Sequence, residues 1–191
     1  MWKLWLGVML FAAPHLFSIV ARRLRDDLQA RIGVGFYKAG FSILSAAGLL
    51  LLAMAYYDGR TGASPSDAFY EPLYGARHAI LGLIALSFVF IAASHGRSHI
   101  KAWVRNPMSI GIALWSLGHL LANGEKVVVV IFAMFLGIAL TDIVCSTARK
   151  SVSGFKPQLR ADVIAILGGA VVAAFFALVF HPYVLNIPVV S

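Results

Sequence analysis

Six stretches of the chain are long, apolar and almost free of charge: Trp2 to Ala21, Gly33 to Tyr57, Leu73 to Ser94, Pro107 to Asn123, Val127 to Cys145 and Val163 to Val184. A helix needs about 20 predominantly apolar residues to cross the hydrocarbon of a bilayer, and its backbone polar groups must be satisfied inside the segment. The pattern predicts an all-α, polytopic membrane helix bundle of about six transmembrane helices, forming a single domain over residues 1–191. With 60% hydrophobic and 13% charged residues and a mean hydropathy of +0.84, the chain has too little polar surface to face water all round. Its expected solvent is the lipid bilayer. Only Gly124, Glu125 and Lys126 separate the fourth and fifth runs, which predicts a tight hairpin of adjacent antiparallel helices.

Charge sets the orientation. Arg22, Arg23, Arg25, Arg31 and Lys38, then Arg97, Lys101 and Arg105, then Arg149, Lys150, Lys156 and Arg160 fall in or beside alternate connections, twelve of the sixteen cations. The opposite side holds Lys3, Arg60, Arg77 and Lys126. The positive-inside rule makes the first set cytoplasmic and puts both termini outside, in what is expected to be a bacterial inner membrane. The net charge of +8 is thus a topology signal with some affinity for anionic lipid, and no nucleic-acid partner is expected.

The N-terminal run is too long for a signal-peptide core, and the Arg22, Arg23, Arg25 cluster follows it as a stop-transfer anchor does, so it reads as a retained span. Cys145 is the only cysteine, which excludes an internal disulfide and a cysteine metal cluster. Arg22 to Arg31 alternates charge with Leu24, Leu28 and Ile32, the pattern of an amphipathic helix lying on the membrane surface. In the last run Ala165, Gly169, Ala173 and Ala177 recur every four residues, a stripe that lets helices approach closely.

Ionisable groups inside hydrocarbon are expensive and mark function by default. Asp142 lies late in the fifth run, within reach of a loop cation such as Arg149. His78, His95, His99 and His181 fall near the ends of runs, where an imidazole can reach water. His15 and His119 do not. His119 is twelve residues beyond Pro107, roughly 18 Å along a helix, and Pro14 withdraws a helical hydrogen bond just before His15. Met108, Gly111, Trp115, Gly118 and His119 share a face at spacings of three and four, so two glycines leave a notch beside an imidazole, lined by a flat aromatic. Neutral imidazoles on two facing helices are what bis-histidine haem ligation requires. The alternative is a buried histidine bonded to a backbone carbonyl or to Asn123.

The segments APHLF, RNPM and LWSLGHLLANGE, in this order and spacing, resemble the NnrU family of bacterial membrane proteins, which is associated with nitrite and nitric oxide metabolism. The resemblance spans nearly the whole chain. The same domain is similar to zeta-carotene isomerase, a membrane enzyme whose haem b changes its iron ligation with redox state. The resemblance implies haem b ligated by His15 and His119, nitrogen-oxide-linked redox metabolism or an isomerase-like reaction, and a redox partner. Asn106 stands where the isomerase has a histidine, which speaks against carotene as substrate.

Arg105, Asn106 and Pro107 followed by a helical hairpin also look like the isoprenylcysteine carboxyl methyltransferase superfamily, where that region helps bind S-adenosylmethionine. The likeness thins after Cys145, because no glutamate follows Glu125 to complete such a cofactor pocket. Methyl transfer is the alternative reading, and a non-enzymatic membrane assembly partner is a third. Part of the motif also has a local explanation. Asn106 can cap the helix that Pro107 begins, and Asn123 with Gly124 can end it and turn the chain.

Overall fold

The computed structural model describes residues 1–61, 67–72, 75–148, 154–187 and 189. Regular structure among them is helical: α1 (Trp2–Val20), α2 (Arg22–Ile32), α3 (Val34–Thr61), α4 (Arg77–Ala93), α5 (His99–Val104), α6 (Pro107–Ala122), α7 (Lys126–Ala148) and α8 (Leu159–Phe175), the last running on as a π-helix over Phe176–Val184. The all-α class is thus as expected. Four helices are long and apolar enough to cross a membrane: α1, α3, α7, and α8 with its π extension. The apolar helices α4 and α6 are shorter, at 17 and 16 residues. Leu73, the expected start of the third run, and Arg149, the loop cation offered to Asp142, lie outside the described residues.

The breaks follow local chemistry. The chain leaves helical geometry at Ala21 (φ −97°, ψ 47°) before the surface helix α2, whose Leu24, Leu28 and Ile32 are exposed. Gly33 then separates α2 from α3 at φ 89°, a left-handed conformation that costs glycine little. Ser98 starts α5, its Oγ accepting from the Lys101 N–H at 3.0 Å, as an N-cap does.

The chain divides into two compact units. The first comprises Met1–Pro72 and Asn123–Cys145. Here α1 and α3 pack backbone to backbone: a Cβ on Gly48 would stand 2.7 Å from the Phe11 nitrogen, and one on Gly7 would stand 3.0 Å from the Gly48 oxygen. Leu4, Leu52, Ala55 and Val127 form the core beside this crossing, with Phe11, Val130 and Met134 against it. The connection before α7 is pinned to the segment after α3. Phe69 N–H donates to the Gly124 oxygen at 2.8 Å and Lys126 N–H to the Asp67 oxygen at 3.0 Å, while the Tyr70 hydroxyl donates to the Asn123 oxygen at 3.1 Å. Gly124 lies so close to the Tyr70 carbonyl that no side chain fits between them.

The second unit comprises Leu73–Ala122 and Ser146–Ser191. Helix α4 is its axis, with α6 and α8 both packed on it. Close approach again depends on missing side chains: a Cβ on Gly169 of α8 would stand 2.7 Å from the Val89 Cα. Ala165, one turn earlier, is buried, so the first half of the small-residue stripe does the packing expected of it. Asp162, 8% exposed, ties α8 to α5 by accepting from His99 Nδ1 at 2.6 Å and from the Ile100 N–H at 3.2 Å. Its side chain explains why a carboxylate sits in the first turn of an otherwise apolar helix.

Two outcomes test this packing. Gly48→Leu should overpack the α1–α3 crossing and destabilise the fold by roughly 1–3 kcal/mol, read as a lower unfolding midpoint in detergent, whereas Gly35→Leu, which meets no neighbour, should change it little. Asp67, outside the helices, pairs with Lys126 at 2.6 Å, and that ammonium group holds its carboxyl below the usual range. The folded value lies below the unfolded one, so any stabilisation is present above the unfolded value and is lost as pH falls through the folded one. In Lys126→Met, the Asp67 carboxyl should titrate upward, back toward the ordinary range, by NMR.

Candidate intramembrane histidine site

Beyond His78 in the first turn of α4, three histidines lie within the apolar helices, and each bonds through its ring to a backbone carbonyl of its own helix. His15 of α1 bonds through Nδ1 to the Phe11 oxygen at 2.7 Å. His119 of α6 bonds through Nδ1 to the Trp115 oxygen at 2.8 Å. His181 of the π-helix bonds through Nδ1 to the Phe176 oxygen at 2.7 Å. A carbonyl can only accept, so each Nδ1 carries the proton. In the neutral ring the lone pair then resides on Nε2. That tautomer is what metal ligation through Nε2 needs, with the Nδ1–H bond to a carbonyl fixing the ring. The helix backbone, rather than a neighbouring carboxylate, orients all three.

His15 belongs to the first unit. Pro14 leaves α1 continuous from Trp2 to Val20, and His15 uses the carbonyl one turn back. Its ring stacks on Phe11 with centroids 4.3 Å apart and planes 19° apart, and Phe41 lies 4.8 Å away. The imidazole is therefore set among aromatic rings of its own unit.

His119 belongs to the second unit. Trp115, one turn back, meets it edge to face at 5.0 Å. The glycines expected to open a notch there are occupied from the other side: a Cβ on Gly111 would stand 2.6 Å from Ile91 Cγ1, and one on Gly118 would stand 2.5 Å from Ile84 Cγ1. Gly111 and Gly118 admit α4, and the space they leave is filled by isoleucine. Ser116, three residues before His119, is 0% exposed, and its Oγ has no hydrogen-bond partner among the described residues.

The other sequence-marked residues do not gather around His119. Arg105 and Asn106 stand at the far end of α6, roughly 20 Å along the helix. Arg105 has φ 57° and ψ −48°, and Asn106 N–H donates to the Val104 oxygen. This is a γ-turn of the rarer, strained kind. Asn106 Oδ1 accepts from the Ser109 N–H at 3.3 Å and its Nδ2 faces Ser146 Oγ at 3.4 Å. Pro107 fills the first helical position, buried. Asn123 belongs to the first unit and uses Oδ1 to accept from the Glu125 N–H at 2.8 Å. Capping and turn formation account for Asn106 and Asn123.

His181, expected to reach water near the end of its span, is half-buried and faces His119, with ring centroids 6.2 Å apart and planes 27° apart. Its local signal is Pro182. Proline cannot donate to the i−4 carbonyl and its ring clashes there. The chain widens into a π-helix instead, in which Leu185 N–H donates five residues back, to Phe180, at 3.3 Å. Such widened turns re-aim side chains and occur often at functional sites. Among the described residues no three His, Cys, Asp or Glu side chains converge as a ready metal cluster, so what the site offers is single imidazoles.

The fold and site define a class: an all-helical protein, with helices apolar enough to span a membrane and histidines held inside them. The family model for NnrU protein matches residues 3–189 of the chain. The chain belongs to the NnrU family. Comparison with curated proteins and with solved structures gave no match.

Selective 15N labelling gives a direct check on the site. The resonances of His15, His119 and His181, assigned by single substitution, should report protonation at Nδ1 in the neutral ring. An Nε2–H signal at His119 would contradict the bond to Trp115.

Proposed function

We propose that this NnrU protein binds haem b inside the membrane through His119 and acts in nitrogen-oxide-linked redox metabolism or in an isomerase-like reaction. The observation that carries the reading is the His119 tautomer: Nδ1 is committed to the Trp115 oxygen, which leaves Nε2 as the basic nitrogen of a ring packed in apolar surroundings. The donor set suits haem better than a bare ion. Structural zinc takes four protein ligands, whereas haem brings its four pyrrole nitrogens and needs from the protein only axial ligands. The fully buried Ser116 Oγ, without a hydrogen-bond partner among the described residues, adds a polar atom in the same stretch of α6.

Haem, when bound, supplies iron whose redox and ligand-exchange chemistry is set by its axial ligands and the polarity around them. The chain's own part is to hold the imidazole in one tautomer, keep water out with Trp115 and neighbouring apolar side chains, and fix ring orientation through a backbone bond. His15, with the same Nδ1 bond and an aromatic setting, is the other ligand implied by the family resemblance and enters the same test. A redox partner follows from such a role.

The membrane setting supported by this reading has six crossings, with α4 and α6 among them. At 16 and 17 residues these two run about 24–26 Å, short of the roughly 30 Å hydrocarbon. Local thinning or snorkelling at their ends accommodates such a mismatch at modest cost. The basic connections then face the cytoplasm of a bacterial inner membrane and both termini lie outside.

One spectrum decides the central point. Protein purified from cells supplied with haem precursor should show a Soret band that shifts on reduction, and His119→Ala should lower bound haem several-fold while retaining its helical circular dichroism. A colourless wild-type protein, or a band unchanged in His119→Ala, would sink the reading.

A further inference from the structure

We infer that the segment between α4 and α6, clasped to the segment that leads into α8, is a cationic shelf that binds the headgroups of anionic phospholipids. It lies wholly within the second unit and is independent of haem. Charge is the first observation. Residues 94–105 carry Arg97, Lys101 and Arg105, residues 154–162 carry Lys156 and Arg160, and Asp162 is the single carboxylate in either stretch. That carboxylate is already engaged, accepting from His99 Nδ1 at 2.6 Å and from the Ile100 N–H at 3.2 Å.

The second observation is how the two stretches are held. Gln158 N–H donates to the Arg97 oxygen at 2.8 Å. Lys101 Nζ donates to the Ser94 oxygen at 2.7 Å and lies 5.9 Å from the centre of the Phe155 ring. Gly96 passes so close to α8 that a Cβ on it would stand 3.3 Å from the Ala161 Cβ. The clasp therefore uses His99, Lys101, Asp162 and main-chain groups. It leaves Arg97, Arg105, Lys156 and Arg160 exposed, and none of these four pairs with a carboxylate among the described residues. Like charges fixed on one support repel one another, and an anion that neutralises them relieves that repulsion.

Position and apolar content identify the anion as lipid. The shelf joins the ends of three apolar helices: α4 stops at Ala93, α6 starts at Pro107 and α8 starts at Leu159. It stands where their apolar stretches give way to charge. Trp103, 79% exposed, and Leu159, 72% exposed, lie among the cations, and indole favours the headgroup level of a bilayer. A phospholipid leaflet offers phosphate to the cations and upper acyl chain to these two side chains at once. Arginine can take a phosphate through two N–H groups and lysine as a point charge. Because the shelf is clasped by its own contacts, little ordering is lost on binding.

The full chain in neutral detergent is titrated with phosphatidylglycerol or phosphatidylcholine, and retained lipid is counted by native mass spectrometry. Wild type should retain phosphatidylglycerol several-fold over phosphatidylcholine. The variant Arg97→Gln/Lys156→Gln/Arg160→Gln should lose most of that preference, whereas the charge-retaining Arg97→Lys/Lys156→Arg/Arg160→Lys should keep it, as should Arg22→Gln/Arg23→Gln/Arg31→Gln on α2 in larger part. A second measurement does not depend on how the charge variants fold. Trp103→Cys on a Cys145→Ser background, spin-labelled in phosphatidylglycerol nanodiscs, should place the label at headgroup depth, read from its relaxation by oxygen and by a water-soluble nickel chelate. Equal retention of the two lipids by wild type, or a preference unchanged when the three shelf cations become glutamine, overturns the inference. A label at position 103 lying fully in water overturns it as well and leaves an acidic soluble protein as the occupant.

Discussion

The close approach of α6 and α8 to the backbone of α4 is the contact on which the second unit depends. In hydrocarbon no hydrophobic force drives helices together, so association relies on packing and hydrogen bonds, which favours small residues at the contact. Gly111, Gly118 and Gly169 provide it: at each, a single added carbon would collide with Ile91, Ile84 or Val89. Most buried positions of this unit are correspondingly small or polar, among them Ser87, Ala93, Ser109, Ser116 and Ala165, with Ile80 the larger exception, while Ile164, Leu167, Val171 and Phe175 are exposed. The first unit uses the same device at Gly7 and Gly48. The first unit adds a core of larger side chains, Leu4, Leu52 and Val127, beside that crossing.

This packing changes the meaning of the glycines beside His119. From the sequence, Gly111 and Gly118 open a recess for a cofactor. In the fold they are the seats of α4 isoleucines, and Trp115 and His119 lie beside that contact on α6. A helix has enough circumference for a glycine-lined face and a histidine-bearing face to be neighbours without being the same surface. Arg105, Asn106 and Asn123 separate from the site in the same way, since they belong to helix ends where capping and turn geometry explain them.

The helix backbone also fixes the orientation of three imidazoles. His15, His119 and His181 each donate from Nδ1 to a carbonyl four or five residues back. A charged second partner would be costly in hydrocarbon, and a backbone carbonyl is already present in every turn. His99 differs: it meets the carboxylate of Asp162 at 2.6 Å, in the first turn of α8.

Sequence alone determined the solvent, the helical class, the approximate helix ends and the family, because apolar run length, cation distribution and ordered motifs are local or additive properties that need no knowledge of neighbours. It also singled out His119, since an ionisable group deep in an apolar run is anomalous wherever the helix packs. Only the tertiary structure decided which surface each glycine serves, that Gly124 is required by the Tyr70 carbonyl, that Asp162 joins α5 to α8, and that His181 faces His119. Those facts depend on which helices share a neighbour. The clue to His181 was present in Pro182, but a proline can kink, end or widen a helix, and only the fold shows that here it sits in a widened one.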